Sequence, residues 1–409
     1  MAPQLSEEDW KAKDYEIMDL FSPGTPIDEN ELFAGRQSQI DQLIETVFQR
    51  GHHAIIYGEP GVGKTSLART FHLRLLGPTK SYSSVMVNCD PSDNFASVWR
   101  KIFVDLSDGD ASIADQFGGT ISPDDVRRTL DRFGLNTVPI IIIDEFNQLK
   151  DPDAGSLMAN TIKTLSDYSS RATLIIVGVA NSVSALIAEH ASISRALVQI
   201  QMPRMKPAEL QEIIEKRLPR VGMRITRPAL AQIITLSRGL PHYTHLLGQY
   251  SARRAIAARI LTVDEIHVDD GQKSCLEKAH QSIREQYHAA TQSPRAGNIY
   301  KQVLLGCALA ETDDLGFFPA KAVVTPLSAI MKAHYDTSKF GQHLKILCDQ
   351  NRGGILELTG EPRRFRYRFI EPLMQPYIII RGLAEGLIDK ATLSGTAPNP
   401  LQPRLSDEF

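Results

Sequence analysis

The stretch "HHAIIYGEPGVGKTS", residues 52–66, decides how this chain is read. An apolar run ends at Gly58, and after Glu59, Pro60, Gly61 and Val62 come Gly63, Lys64 and Thr65. That spacing, G-x-x-x-x-G-K-[ST], is a phosphate loop. Its glycines let backbone amides turn inward around phosphate oxygens, and the helix that comes next adds its free N-terminal amides and its dipole. Residues Glu59 through Ser66 are therefore expected to wrap the phosphates. Lys64 would pair with the β- and γ-phosphates, and Thr65 would ligate Mg²⁺. The context supports this over a chance glycine-rich turn: strand-like "AIIY" precedes the loop and helical "TSLARTFHLRLL" succeeds it.

Further along stands "PIIIIDEFNQL", residues 139–149. Four consecutive isoleucines predict a strand buried on both faces, ending at Asp144. In an open α/β sheet, ligands gather at the carboxyl ends of strands. Asp144 would hold Mg²⁺ through water, and Glu145 would orient and polarise an attacking water. Asn181, closing the apolar run in "IIVGVANS", either contacts the γ-phosphate or the lytic water or caps the next helix. The segments "HHAIIYG", "YSSVMVNCD", "VPIIIIDEF", "ATLIIVGVAN" and "ALVQIQMP" alternate with helical ones. They predict a parallel sheet of the α/β class over residues 31–205, with residues 1–30 as an extended lead-in.

Helical periodicity continues over residues 206–292, interrupted at "RGLPHY" and "TVDEIHVDDG". Residues 293–388 read as three helices and then a hairpin, "ILEL" and "RFRYRFI" around "TGEPRR", which suggests a winged helix. Residues 389–409 read as a mobile tail. The hairpin region holds Arg352, Arg363, Arg364, Arg366 and Arg368 against Glu357 and Glu361. Arg364, Arg366 and Arg368 alternate, so they should share one face, with Phe365, Tyr367 and Phe369 on the other. DNA phosphates, an acidic protein partner and a plain solvated edge all fit such a face.

Lys and Arg number 45 against 48 Asp and Glu, a net charge of −3, which argues against a surface built wholly for nucleic acid. Cys89, Cys275, Cys307 and Cys348 are widely spaced, without a C-x-x-C pair. That pattern opposes a disulfide framework or metal knuckle and fits a reducing compartment. The first residues carry acids without an apolar core, and no apolar run approaches the ~20 residues of a membrane helix. A cytoplasmic protein without membrane contact is the expectation.

Phosphate loop, "IIIIDE", a polar strand end and an arginine before the fifth strand: this order resembles an AAA+ ATPase. "ELFAGR", residues 31–36, resembles the entry motif of the replication-initiator (origin-recognition) branch, and "LSRGLPHYTHLL" resembles the lid of that branch and of signalling NTPases with a G-x-P motif. The resemblance implies ATP and Mg²⁺ as cofactors and hydrolysis of ATP to ADP and phosphate. It also implies that Phe33, Ala34 and Gly35 lie against adenine. Arg195 would be an arginine finger reaching a neighbouring subunit, or else a surface arginine. Pro241 or His242 would approach the phosphates where many relatives carry an arginine. The implied function is a self-associating switch that controls an effector partner or a nucleic-acid complex, by analogy in prokaryotic defence. A DNA-binding initiator or transposition-type adaptor, and a scaffold holding ATP structurally, stay open beside it.

Overall fold

The computed structural model describes residues 5–24, 32–75, 82–107, 109, 115–133, 137–178, 191–294, 297–361 and 364–396. The chain forms two compact units, Pro26–Pro203 and a second made of Met1–Thr25 with Arg204–Phe409.

The first element is a helix, α1 (Glu7–Leu20), which corrects the expectation of an extended lead-in. The Ser6 hydroxyl accepts from the Asp9 N–H at 3.2 Å, and the Asp9 carboxylate accepts from the Ser6 N–H at 2.8 Å. This reciprocal cap satisfies amides that a helix start leaves open. Trp10 and Ile17 form its buried face. Pro and Gly in "FSPGTPIDEN" punctuate only the stretch after the helix.

The Pro26–Pro203 unit contains α2 (Gln37–Phe48), β1 (His53–Gly58), α3 (Lys64–Leu75), β2 (Tyr82–Asn88), α4 (Phe95–Leu106) and α5 (Pro123–Phe133). It continues with β3 (Val138–Asp144), α6 (Ala154–Asp167), β4 (Thr173–Gly178) and β5 (Leu197–Met202). These are the five expected strands, all parallel, in the order β2-β3-β4-β1-β5. Ile140, Ile141, Ile142 and Ile143 are fully buried, which requires apolar cover on both faces. Ile141 and Ile143 join a cluster with Val85, Trp99, Phe103 and Ile162. Ile140 and Ile142 alternate to the opposite face, and α2 and α3 pack on the sheet as well. Because all strands run one way, the carboxyl tips of β1 and β3 lie on the same edge, with β4 between them.

The other unit resumes with α7 (Pro207–Arg217), α8 (Arg227–Ser237), α9 (Pro241–Ala257), α10 (Glu265–Lys278) and α11 (Gln281–Thr291). Short parallel strands β6 (Arg224–Ile225) and β7 (Thr262–Val263) tie two of its loops. The expected break at "TVDEIHVDDG" is confined to its first residues. Asp264 accepts from the Ile266 and His267 N–H groups at 3.1 and 3.3 Å, so the acids there start a helix rather than interrupt one. The N-terminal helix is fastened to α9: Arg253 pairs with Asp14 at 2.8 Å, and Gln249 donates to the Phe21 carbonyl at 2.6 Å.

The chain then forms α12 (Tyr300–Leu309), β8 (Phe318–Pro319), α13 (Val324–Met331), α14 (Thr337–Leu347), β9 (Leu356–Thr359), β10 (Arg366–Phe369), α15 (Met374–Ala384) and α16 (Lys390–Thr396). The expected three helices and hairpin are present, with β8 adding an edge in the antiparallel order β8-β10-β9. The expected tail begins as α16, where Leu393 is buried and Lys390 pairs with Asp269 at 2.7 Å. Residues 397–409 lie outside the described residues. The unit break falls between Pro203 and Arg204, and the helices expected to be a separate lid share one unit with those expected to be a winged helix. No helix of the described residues is long and apolar enough to cross a membrane.

Candidate nucleotide site

Strand β1 ends at Gly58, opposite Met202 of β5. A Cβ at Gly58 would stand 2.4 Å from the Met202 carbonyl oxygen, so only glycine fits this approach. Gly61 and Gly63 have φ of 79° and 94°, in the region that favours glycine. Val62, between them, is 1% exposed and pins the loop. Lys64 opens α3, and its ammonium donates to the Gly58 and Glu59 carbonyls at 3.2 and 2.9 Å. Glu59 is buried, Pro60 and Gly61 are exposed, and Thr65 and Ser66 are half-buried in the first turn of α3.

Asp144 closes β3 and is 2% exposed. Its carboxylate accepts the Glu145 N–H at 2.8 Å and also hydrogen-bonds to the Thr65 side chain. Burial pushes the Asp144 carboxyl up, while those two bonds pull it down. Burial lowers the Lys64 ammonium, against the opposing pull of Glu145, Asp144 and Glu59. The loop and the acidic strand tip thus converge, a hydroxyl against a carboxylate with an ammonium in their field. Both are hard oxygen donors of the kind Mg²⁺ takes together with phosphate oxygens, so the residues present fit the ion. Among the described residues, no group of three His, Cys, Asp or Glu could hold a metal by itself.

Glu145 is exposed and adopts φ 55°, ψ 34°. A left-handed conformation at a non-glycine residue costs about 1–3 kcal/mol and persists where the surroundings over-determine it. Here the buried Phe146 and a 3₁₀ turn, closed by the Gln148 N–H on the Glu145 carbonyl at 2.8 Å, hold the bend. The carboxylate therefore leaves the strand line beside a buried Asp144.

The residue that sequence reasoning missed is Arg36. Phe33 and Ala34 are buried, and Gly35 and Arg36 come next with φ of 63° and 64°. This double left-handed turn sends the Arg36 guanidinium inward, where it is 4% exposed. It donates to the Val62 carbonyl at 3.1 Å and to the Pro203 carbonyl at 2.7 Å. The available signal was a Gly-Arg pair directly before a helix, a place where a left-handed turn aims a side chain.

Arg195 is exposed at the end of the 3₁₀ turn Ala191–Arg195, directly before β5. Asn181 lies outside the described residues. Pro241 and His242 open α9 in the other unit. The His242 Nδ1 is 2.6 Å from the Pro23 carbonyl, and burial holds the ring below its ordinary value against that bond. A hydrogen on Nδ1 leaves Nε2 as the atom available to a ligand.

In the hairpin, Tyr367 and Phe369 are buried as expected, and Phe365 is half-buried. The arginines are more compensated than the sequence suggests. Arg366 pairs with Asp313 at 2.8 Å, and Arg368 pairs with Glu357 and lies 4.4 Å over the Phe317 ring. Arg352 covers Tyr300 at 4.3 Å. Arg364 is exposed, and Arg363 lies outside the described residues.

The family described as Novel STAND NTPase 1 matches residues 25–309. Among curated proteins, the chain is similar to the ORC1-type DNA replication protein 2 of Thermoplasma acidophilum. The two are 28% identical over 205 residues, which is 46% of this chain and 48% of that protein. It is also similar to the ORC1-type DNA replication protein of Thermoplasma volcanium, at 25% identity over 197 residues. The chain spans about half the length of these curated relatives. Among solved structures, a Walker-type ATPase of Pyrococcus abyssi gives a TM-score of 0.53 at 16% identity, covering 88% of this chain and 99% of that one. The Aeropyrum pernix ORC2 protein, solved in ADPNP–ADP complexes, gives 0.50 at 15% identity, covering 92% and 97%. At these identities the likeness is one of fold alone.

Proposed function

Because the chain belongs to the Novel STAND NTPase 1 family, we propose that it is an ATP-driven switch that self-associates and controls a partner. The observation that carries this reading is the meeting of Thr65 and Asp144 beside Lys64. In this reading, Lys64 exchanges the Gly58 and Glu59 carbonyls for the β- and γ-phosphates. The loop amides and the start of α3 cradle the same oxygens. Thr65 ligates Mg²⁺ and Asp144 holds it through water. The ion, held there by these residues, would neutralise charge on the phosphates. Glu145 orients and polarises the attacking water, so that ATP and water give ADP and phosphate. Asn181 contacts the γ-phosphate or that water. Phe33, Ala34 and Gly35 lie against adenine, and Pro241 and His242 meet the phosphates from the lid. Arg195 reaches the γ-phosphate of a neighbouring copy, where a guanidinium stabilises the transferring group. An effector protein is the partner, in a defence-type response.

The test compares ATP turnover of the wild type with that of Glu145→Gln. Turnover should fall by about 10²–10⁴, the ordinary contribution of a positioned base, with nucleotide binding kept. Equal turnover would leave a scaffold that holds ATP structurally.

A second reading gains support from the sequence α12, β8, α13, α14, β9 and β10, with the sheet order β8-β10-β9, which is the element order of a winged helix. There the chain is a DNA-binding initiator or transposition-type adaptor, with Arg363, Arg364, Arg366 and Arg368 on phosphates. Asp313 and Glu357 already occupy two of those arginines, so the switch reading comes first.

A further inference from the structure

Of the two places where the chain passes between the units, the second is the Pro203–Arg204 peptide bond. An arginine grips main-chain carbonyls on each side of it. On the first side, Arg36 binds the Val62 carbonyl of the phosphate loop and the Pro203 carbonyl itself. On the second side, Arg204 donates to the Arg238 carbonyl at 3.3 Å and to the Gln375 side-chain oxygen at 2.5 Å.

The grip continues outward from there. Gln375, in the first turn of α15, is fully buried, and its amide donates to the Ala308 carbonyl in the last turn of α12 at 2.8 Å. Arg238 donates to the Ala310 carbonyl at 3.1 Å, just past the same helix end. The turn after α8 is shaped around Arg204. The Met205 N–H bonds the Gly239 carbonyl at 2.9 Å, and a Cβ at Gly239 would stand 2.7 Å from the Arg204 Cβ. Gly239 also has φ 80°, so the turn admits no other residue without strain.

We propose that Arg36 and Arg204 are paired positioning residues that carry the state of the phosphate loop across Pro203–Arg204 to the ends of α12 and α15. The proposal rests on the nucleotide reading above. Phosphates that draw the loop amides inward move Val62. Arg36, buried and donating from one guanidinium nitrogen to both carbonyls, passes that movement to Pro203. Proline has a fixed φ and absorbs little of it. Arg204 then shifts against Gln375 and the Arg238 carbonyl, and two helix ends move with it. In that reading both arginines act through the main chain and not on the reacting atoms. Coupling is read at the far end of the relay.

The experiment is hydrogen–deuterium exchange on the full chain, with and without Mg²⁺ and a slowly hydrolysed ATP analogue. In the wild type, amides of residues 58–66 should slow, and those of α12 and α15 should change by about fivefold or more, the lower end of ordinary site-to-site coupling. Arg204→Met should keep the loop response within about twofold and lose the remote one. Gln375→Met cuts the relay one contact later and gives the same readout should Arg204→Met fail to fold. A remote response that persists in either folded variant overturns the proposal, as does loop protection in the wild type without any remote change. No loop protection at all in the wild type would overturn the nucleotide reading and this proposal with it.

Discussion

Replacing His53 with asparagine should flatten the acid dependence of stability. His53 opens β1, the strand that ends in the phosphate loop, and is fully buried. Its Nδ1 accepts the Leu174 N–H at 3.0 Å. Burial, with a smaller push from His52, holds the imidazole down to about 3 from an ordinary 6.5. The folded chain therefore keeps the ring neutral where the unfolded chain, below pH 6.5, takes up a proton. The stability linked to the neutral ring is fully present above pH 6.5 and is lost as pH falls toward 3. One pKa unit corresponds to ~1.4 kcal/mol, so the whole window amounts to about 5 kcal/mol, and the stretch from pH 6.5 to 5 to about 2 kcal/mol. The asparagine of the variant offers an oxygen to the same amide but no titration. The smaller side chain costs about 1–2 kcal/mol at every pH, so the slope is the readout. Urea titrations between pH 5 and 8 should show wild type losing about 1.4 kcal/mol more per unit than His53→Asn below 6.5. Parallel slopes would refute the placement of a neutral imidazole in the sheet.

Other perturbations have equally defined outcomes. Lys64→Met should abolish stabilisation by ATP, worth ~2.7 kcal/mol at a hundredfold excess over Kd in wild type; a retained thermal shift would remove Lys64 from the site. Asp144→Asn should raise the stability of the nucleotide-free chain at neutral pH, because burial disfavours the ionised carboxylate, and should weaken Mg²⁺-dependent binding. Melting curves with and without Mg²⁺·ATP separate the two effects. Gly248→Ala places a Cβ 2.6 Å from Phe21. It should cost about 1–3 kcal/mol by overpacking and speed proteolysis within α1. Arg364→Ala should lower the salt slope of any DNA binding by about one unit; an unchanged slope would take the hairpin off the phosphate backbone.

Where one rule governs a stretch, the sequence was enough to read it. Ile140–Ile143 required a doubly covered strand, and the loop from Gly58 to Thr65 required a glycine-lined cup next to it. The convergence of Thr65 and Asp144 came from parallel strands sharing an edge. Three features escaped because they depend on partners distant in the chain. The prolines of the lead-in suggest an extended stretch, yet the Ser6–Asp9 cap and the apolar contacts of Trp10 and Ile17 make a helix docked on α9. Arg36 is not legible in the sequence because its acceptors, Val62 and Pro203, are brought to it only by the folded sheet. The hairpin is basic in sequence because Asp313, which pairs with Arg366, stands some fifty residues upstream of it. Local charge counts overlook such cross-element pairs, and exposed pairs add little stability of their own.

The most direct test is to locate the ion. Crystals grown with Mn²⁺ and a non-hydrolysable ATP analogue should give one anomalous peak about 2.1 Å from the Thr65 hydroxyl, with the Asp144 carboxylate bonded to a water on the ion. A peak distant from both residues, or nucleotide bound with its phosphates outside the 58–66 loop, would contradict a single magnesium–nucleotide site.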